Sequence, residues 1–216
     1  MEKEDKYFFE QNITPKELDV LLADAWRHFG DYFFRNMTST QQNGEVWDIV
    51  PLRINLEKFS YRKSQKKVLR QNQDIITIIA DAQITAEKIA IFEKHRLRFE
   101  HNRPESIYNF LSRTPATAPT HTQEIQLYEN GKLYAVSFID NAFESVSSVF
   151  AMFDTDFSKR SPGIHTLLVE IEYAIKSNKK YLYLGYVHRE SSFYDYKKNF
   201  NALEYYDWQG NWKDFE

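Results

Sequence analysis

Residues 180–187, Lys-Tyr-Leu-Tyr-Leu-Gly-Tyr-Val, form a nearly continuous apolar run rather than an alternating one. A run of this length and composition reads as a strand inside a sheet, not as an exposed edge. It follows a helical segment, 163–177, and a strand over 147–154. Upstream, 124–128 and 132–139 flank Glu129-Asn130-Gly131, whose Asn-Gly pair suits the tip of a tight hairpin. A short helix over 191–199 and a last strand near 203–208 complete the series. The order strand, strand, strand, helix, strand, helix, strand specifies an α+β mixed sheet in which one helix crosses between two parallel strands.

The first half of the chain is read from its caps and periods. Thr14 before Pro15 is an N-cap followed by a proline at the first helical position, and Leu18, Leu21, Leu22, Ala25 and Trp26 recur at helical spacing. The spacing predicts a helix over 15–28, closed by Gly30. Segments 32–35 and 46–54 read as the arms of a hairpin around Gln41-Gln42-Asn43-Gly44. Residues 62–70 carry five cations in nine positions, and 74–80 is a β-branched strand. Thr85 opens a helical stretch, with Ile89, Phe92 and Leu97 on one helix and Ile107, Phe110 and Leu111 on a second beyond Pro104. The two prolines and four threonines of 114–122 read as an extended loop.

Composition excludes several classes. The chain has 216 residues, 42% of them hydrophobic, with 17 Phe, 14 Tyr and 4 Trp, so disorder is excluded for its bulk. Lys and Arg number 28 against 31 Asp and Glu, so contact with nucleic acid must come from a local patch. The absence of cysteine excludes disulfides, thiolate-bound metals and thiol catalysis. No apolar stretch reaches eighteen residues, and the charged N-terminus lacks the apolar core of a secretory signal, so the expected location is the cytoplasm, with no membrane partner. The six histidines show no His-x-x-x-His spacing, and neither a Gly-x-Ser-x-Gly elbow nor a P-loop occurs, so no metal site is expected.

Three segments remain as carriers of chemistry. In 154–164 a loop with Lys159, Arg160, Ser161 and Gly163 leads into a helix, whose N-terminal amides suit an anionic group; Ser161 and Pro162 equally suit helix capping alone. On a helix Lys63, Lys66, Lys67 and Arg70 share one face, with the amides Gln65 and Asn72 beside them. Such a face can hold a phosphate backbone or simply meet solvent. The apolar strand ends in Gly185-Tyr186, where close backbone approach and a phenol coincide, and Tyr194, Tyr196 and Lys197 follow. Core aromatic packing is the alternative reading of those rings.

Taken together, the segments resemble the bacterial aminoacyl-tRNA–protein transferases, the arginyl/leucyl-transferase family. The resemblance runs from about Trp26 to Trp212 and rests on Arg53, on Phe59 with Lys63-Ser64-Gln65-Lys66-Lys67, and on Asn72-x-Asp74. Asn130-Gly131-Lys132-Leu133-Tyr134-Ala135-Val136 with Asp140, Arg160-Ser161-Pro162-Gly163, 171–174, 181–186 and Tyr196-Lys197 continue it. It implies a GNAT-like acyltransferase domain, a mixed sheet flanked by helices, over 76–216, and a smaller N-terminal α/β domain over 1–75. The strand before Gly163 is then expected to splay from its neighbour. Aminoacyl-tRNA would be the co-substrate, with no cofactor, and protein N-termini, acidic ones especially, the acceptors. Under this resemblance Tyr186, Asp140 and Tyr196 are candidate catalytic groups. Lys63, Gln65, Lys66, Lys67, Asn72, Arg160, Ser161, Gly163 and Lys197 are candidate substrate or tRNA contacts. The family's usual Cys-x-x-Cys-x-x-Cys run is replaced by Asn43, Val46 and Ile49. Two alternatives on the same fold are a coenzyme A-dependent N-acyltransferase, for which 160–163 offers a single glycine, and a silent module that binds N-termini or RNA.

Overall fold

The computed structural model describes residues 5–41, 43–99, 102–192 and 194–215. The charged start at Met1–Glu4, Gln42 of the expected turn and His101 lie outside them. The elements are β1 (Lys6–Phe9), α1 (Pro15–Ala23), β2 (Arg27–Phe29), β3 (Tyr32–Arg35), β4 (Thr38–Thr40), β5 (Val46–Asn55), α2 (Lys63–Gln71), β6 (Ile76–Asp81) and α3 (Ala86–Arg96). They continue with β7 (Thr122–Glu129), β8 (Lys132–Asn141), β9 (Ser145–Phe153), α4 (Pro162–Lys176), β10 (Tyr181–His188), β11 (Leu203–Tyr206) and β12 (Trp212–Asp214). Short 3-10 turns occupy Ile107–Asn109, Thr155–Arg160 and Asp195–Asn199.

The large sheet runs in the order β12-β11-β5-β10-β9-β8-β7-β6, with β4 paired to β5. β9 and β10 are parallel, joined by the α4 crossover, and the pairings of the described residues are otherwise antiparallel. The fold is therefore the α+β mixed sheet that the strand order implies. The sheet draws on both sides of residue 75. β5 lies between β10 and β11, so the hydrogen bonding does not break at the division into 1–75 and 76–216 read from the sequence. The physical reason is burial: Ile49, Val50, Leu52 and Ile54 are all buried, and a strand with apolar residues on both faces needs neighbours and cover. Leu167, Leu168, Ile171 and Ala174 of α4 pack on one face in the largest apolar cluster, α3 covers Phe138, Phe150 and Met152, and Leu18 and Leu22 of α1 close over Tyr183.

Three local expectations differ from the structure. The first helix ends at Ala23 instead of residue 28, because Ala25 takes a left-handed φ of 63° and Arg27–Phe29 then pairs with β3 through the two-residue turn Gly30-Asp31. The hairpin partner of β5 is β4, while Tyr32–Arg35 joins β1 and β2 in a separate three-stranded sheet, where Phe8 stacks on Phe33 at 4.9 Å. The second helix beyond Pro104 is reduced to the single turn Ile107–Asn109, capped by Ser106. No helix among the described residues is long and apolar enough to cross a membrane.

Candidate active site

β9 and β10 hydrogen-bond only at their first residues, Ser145 opposite Tyr181, Val146 opposite Leu182 and Ser147 opposite Tyr183. Past that point they diverge, as the expected splay requires, and leave backbone groups unpaired towards their carboxyl ends, where sheets of this kind receive ligands. β10 is also bulged. Its pairing with β5 steps from Tyr183–Arg53 to Gly185–Leu52, which leaves Leu184 as the extra residue, and Gly185 takes φ +81°. The bulge moves Tyr186 to the face that Tyr183 occupies, where simple alternation would have separated them, and both line one small cavity with Leu22 and Trp212.

Three charged side chains meet at this opening. Arg27 of β2, buried, donates from Nη1 to Ser147 Oγ at 2.8 Å and from Nη2 to the Ser148 carbonyl at 2.8 Å, so it bridges the two residues at which β9 leaves β10. Its guanidinium lies against the backbone of Gly185: a Cβ there would stand 3.0 Å from Cζ. Glu170 of α4 is 1% exposed; one carboxylate oxygen accepts from the Ser137 hydroxyl, and the Ser148 hydroxyl approaches the same carboxyl. Its Oε2 has no hydrogen bond of good geometry. Burial pushes this carboxyl up to about 7, against the pull of Ser137, Ser148, Lys197 and Arg27. Lys197, half-buried on the turn after β10, donates from Nζ to the Leu184 carbonyl at 2.7 Å. Burial and then the Arg27 charge bring its ammonium down to about 7, with Glu170 opposing.

The other sequence-derived candidates are distributed differently. Tyr186 donates its hydroxyl to the Ala25 carbonyl at 2.6 Å, and burial raises it further from ionisation. Asp140 is fully enclosed, with His28 Nε2 at 2.7 Å and the Thr120 hydroxyl at 2.9 Å, so it ties the N-terminal sheet to β8. Tyr196 adjoins Glu170 and is likewise pushed up by burial. On α2, Lys63, Lys66 and Lys67 are exposed, as a phosphate-binding face requires, but Gln65 and Asn72 turn inward. Gln65 accepts from the Arg62 amide at 2.9 Å and reaches the Asn199 carbonyl, and Asn72 donates to the carbonyls of Val68 and Arg160. An amide buried against a helix terminus is held by backbone groups it must satisfy. The Arg160 guanidinium is occupied by Asp74 at 2.8 Å and by Glu129. Ser161 holds the start of α4 in a left-handed conformation, φ 52°, without a side-chain cap, and Gly163 sits 3.7 Å, at an added Cβ, from the Phe153 ring.

Sequence reasoning missed Arg27 and Glu170. Arg27 fell inside the over-long helix. Glu170 was legible: it stands three residues from Leu167 and four from Ala174, on the buried face of α4. Among the described residues no group of three His, Cys, Asp or Glu side chains is arranged to hold a metal ion.

A mixed sheet whose parallel pair splays beside a crossover helix is a GNAT-like acyltransferase fold. The structure of L-PGS from Bacillus licheniformis has this architecture, with TM-score 0.51 and 9% identity over 87% of this chain and 55% of the other, a little over half its length. The family described as "Arginine-tRNA-protein transferase, C terminus" matches residues 87–207, more than half of the chain, and the protein belongs to it. Aspartate/glutamate leucyltransferase of Helicobacter hepaticus is 27% identical over 208 residues, 92% of this chain and 83% of the relative. The protein of that name from Xanthomonas campestris pv. campestris is 28% identical over 74% of this chain and 68% of its own. The protein is accordingly an enzyme of the aminoacyl-tRNA–protein transferase type.

Proposed function

We propose that the protein transfers leucine from charged tRNA to the α-amine of proteins that begin with Asp or Glu, and so tags them for degradation. The reading is supported by the names of its relatives, aspartate/glutamate leucyltransferases. The observation that carries it is the opening between β9 and β10, spanned by Arg27 and flanked by Lys197, with Glu170 buried behind it, in a chain of this family. The acyl end of the tRNA enters that opening from the carboxyl ends of the strands, and the exposed cations Lys63, Lys66 and Lys67 of α2 hold its phosphate backbone. The reaction needs an amine and an ester carbonyl aligned, and a group that takes the proton the amine releases.

The test offers labelled leucine or arginine on its tRNA to peptides beginning with Asp, Glu, Lys or Arg. Leucine on the acidic peptides is the expected product; arginine on them would reverse the donor, and no product with any pair would overturn the reading. Coenzyme A and tRNA are compared by thermal shift in parallel, since a ligand of the folded state raises its melting temperature. Stabilisation by tRNA is expected; stabilisation by coenzyme A alone would assign a different acyl carrier.

A further inference from the structure

Lys197 and Glu170 are titratable groups drawn towards the splayed opening from two different elements, one held at the Leu184 carbonyl and the other at the Ser137 hydroxyl. Glu170 is sealed: it is 1% exposed, held by Ser137, and keeps Oε2 without a partner of good geometry. A group so enclosed acts on what lies beside it, not on a substrate. Lys197 is only half-buried, and its Nζ is fixed by the Leu184 carbonyl at the bulge, where β10 leaves β9. A neutral amine donates to that carbonyl and still keeps its lone pair free for a proton. We infer that Lys197 is the proton acceptor of the transfer reaction and that the carboxyl of Glu170 acts on its charge.

The inference rests on the transferase reading and specifies its chemistry. The attacking amine nitrogen bonds to the ester carbonyl carbon and gives its proton to Lys197 Nζ. The carbon–oxygen bond to the ribose then breaks, and Lys197 returns the proton to the leaving oxygen. One amide replaces one ester, and Lys197 ends as it began. An α-amine titrates near 8, so a base close to 7 is matched to it and stays neutral for much of the time at physiological pH. The groups that face Lys197 act in opposite senses. Partial burial and then Arg27 on β2 favour the neutral amine, and Glu170 on α4 favours the charged one. The Tyr194 ring lies 5.3 Å from Nζ, and Tyr196, next to Glu170, stays protonated.

Single-turnover transfer with saturating charged tRNA and acceptor peptide tests the role. Lys197→Met is expected to lower the rate by about 10²-fold or more, with the affinity for charged tRNA unchanged and the rise of rate with pH through about 7 abolished. Small primary amines are expected to restore part of the peptide product to Lys197→Ala. Glu170→Gln is expected to move the rising limb of the profile to lower pH, since its carboxylate favours charged Lys197. An unchanged rate and profile in Lys197→Met, from a wild type that transfers, would overturn the proposal and leave the transferase reading standing. A wild type that transfers nothing overturns both. An NMR titration of the labelled lysine ammonium in the wild-type protein needs no variant: a midpoint near 7 supports the assignment, and one near the ordinary 10.4 overturns it.

Discussion

Replacing Gly185 with alanine separates the cost of a backbone conformation from the cost of disturbing the site. Gly185 has φ +81°, and an added Cβ would stand 3.0 Å from Arg27 Cζ and 3.1 Å from its Nε and Nη2. Gly131, at the β7–β8 hairpin tip, has φ +80° and nothing within 4 Å of an added Cβ. In both places an L-residue meets a left-handed conformation at about 1–2 kcal/mol, offset by roughly 0.4–1 kcal/mol because alanine stiffens the unfolded chain. Gly131→Ala should therefore cost about 1 kcal/mol. Gly185→Ala must also push the guanidinium away from Ser147 Oγ and the Ser148 carbonyl, both at 2.8 Å. A hydrogen bond to a charged group contributes about 1.5–3 kcal/mol, so the loss of one brings the total to about 3–4 kcal/mol. Urea unfolding of the two variants reads the difference, about 2 kcal/mol, and peptide transfer should fall in Gly185→Ala alone. Equal destabilisation would refute the claim that Arg27 is locked against the β10 bulge.

Further expectations follow from the buried charges. Lys88 and Glu124 form an ion pair between α3 and β7 with side chains 5% and 2% exposed; Lys88→Met should cost about 3–5 kcal/mol in urea unfolding, and adding Glu124→Leu should recover most of it, because the unpaired carboxylate is the chief penalty. Burial brings both His95 and His165 down to about 4. The unfolded chain takes their protons from about 6.5 downward, so their neutral forms support stability above that pH and lose it as the pH falls towards 4. Between pH 7 and pH 5 the wild type should lose about 2 kcal/mol more than His95→Gln; parallel curves would contradict this. Lys66→Glu with Lys67→Glu, both exposed on α2, should weaken tRNA binding and lower its log–log salt slope by about 2 with the melting temperature unchanged. An unaltered slope would remove α2 from the interface.

The acyltransferase half was legible because its signals are local. The Asn130-Gly131 turn, the apolar 180–187 run and the crossover helix each carry their own pattern, and the sheet follows from their order. The N-terminal half was harder to read for a physical reason. Trp26 continues the helical spacing of Leu18, Leu22 and Ala25, and only the left-handed Ala25 and the cross-strand Phe29–Phe34 contact place Arg27–Phe29 in a strand. The location of β5 between β10 and β11 depends on pairing over more than a hundred residues, which no local pattern encodes. Within the site, Gly185 and Lys197 were found through their residue types, whereas the role of Tyr186 depended on the face it occupies. The bulge at Leu184 changed that face, and a bulge leaves no mark in the alternation beyond the glycine itself. Arg160 looked free because Asp74 and Glu129 are remote in sequence.

In the proposed reaction the opening between β9 and β10 is the place where the acyl group is received. Hydrogen exchange of the full chain, with and without a non-hydrolysable leucyl-adenosine amide that mimics the charged tRNA end, tests this directly. The amides of 148–151 and 184–187, unpaired with each other across the splay, should gain protection, together with those of 163–165 at the start of α4. Protection confined elsewhere, for instance to the cavity lined by Met37, Ile49, Tyr206 and Trp208, with the splayed strands unaffected, would contradict it.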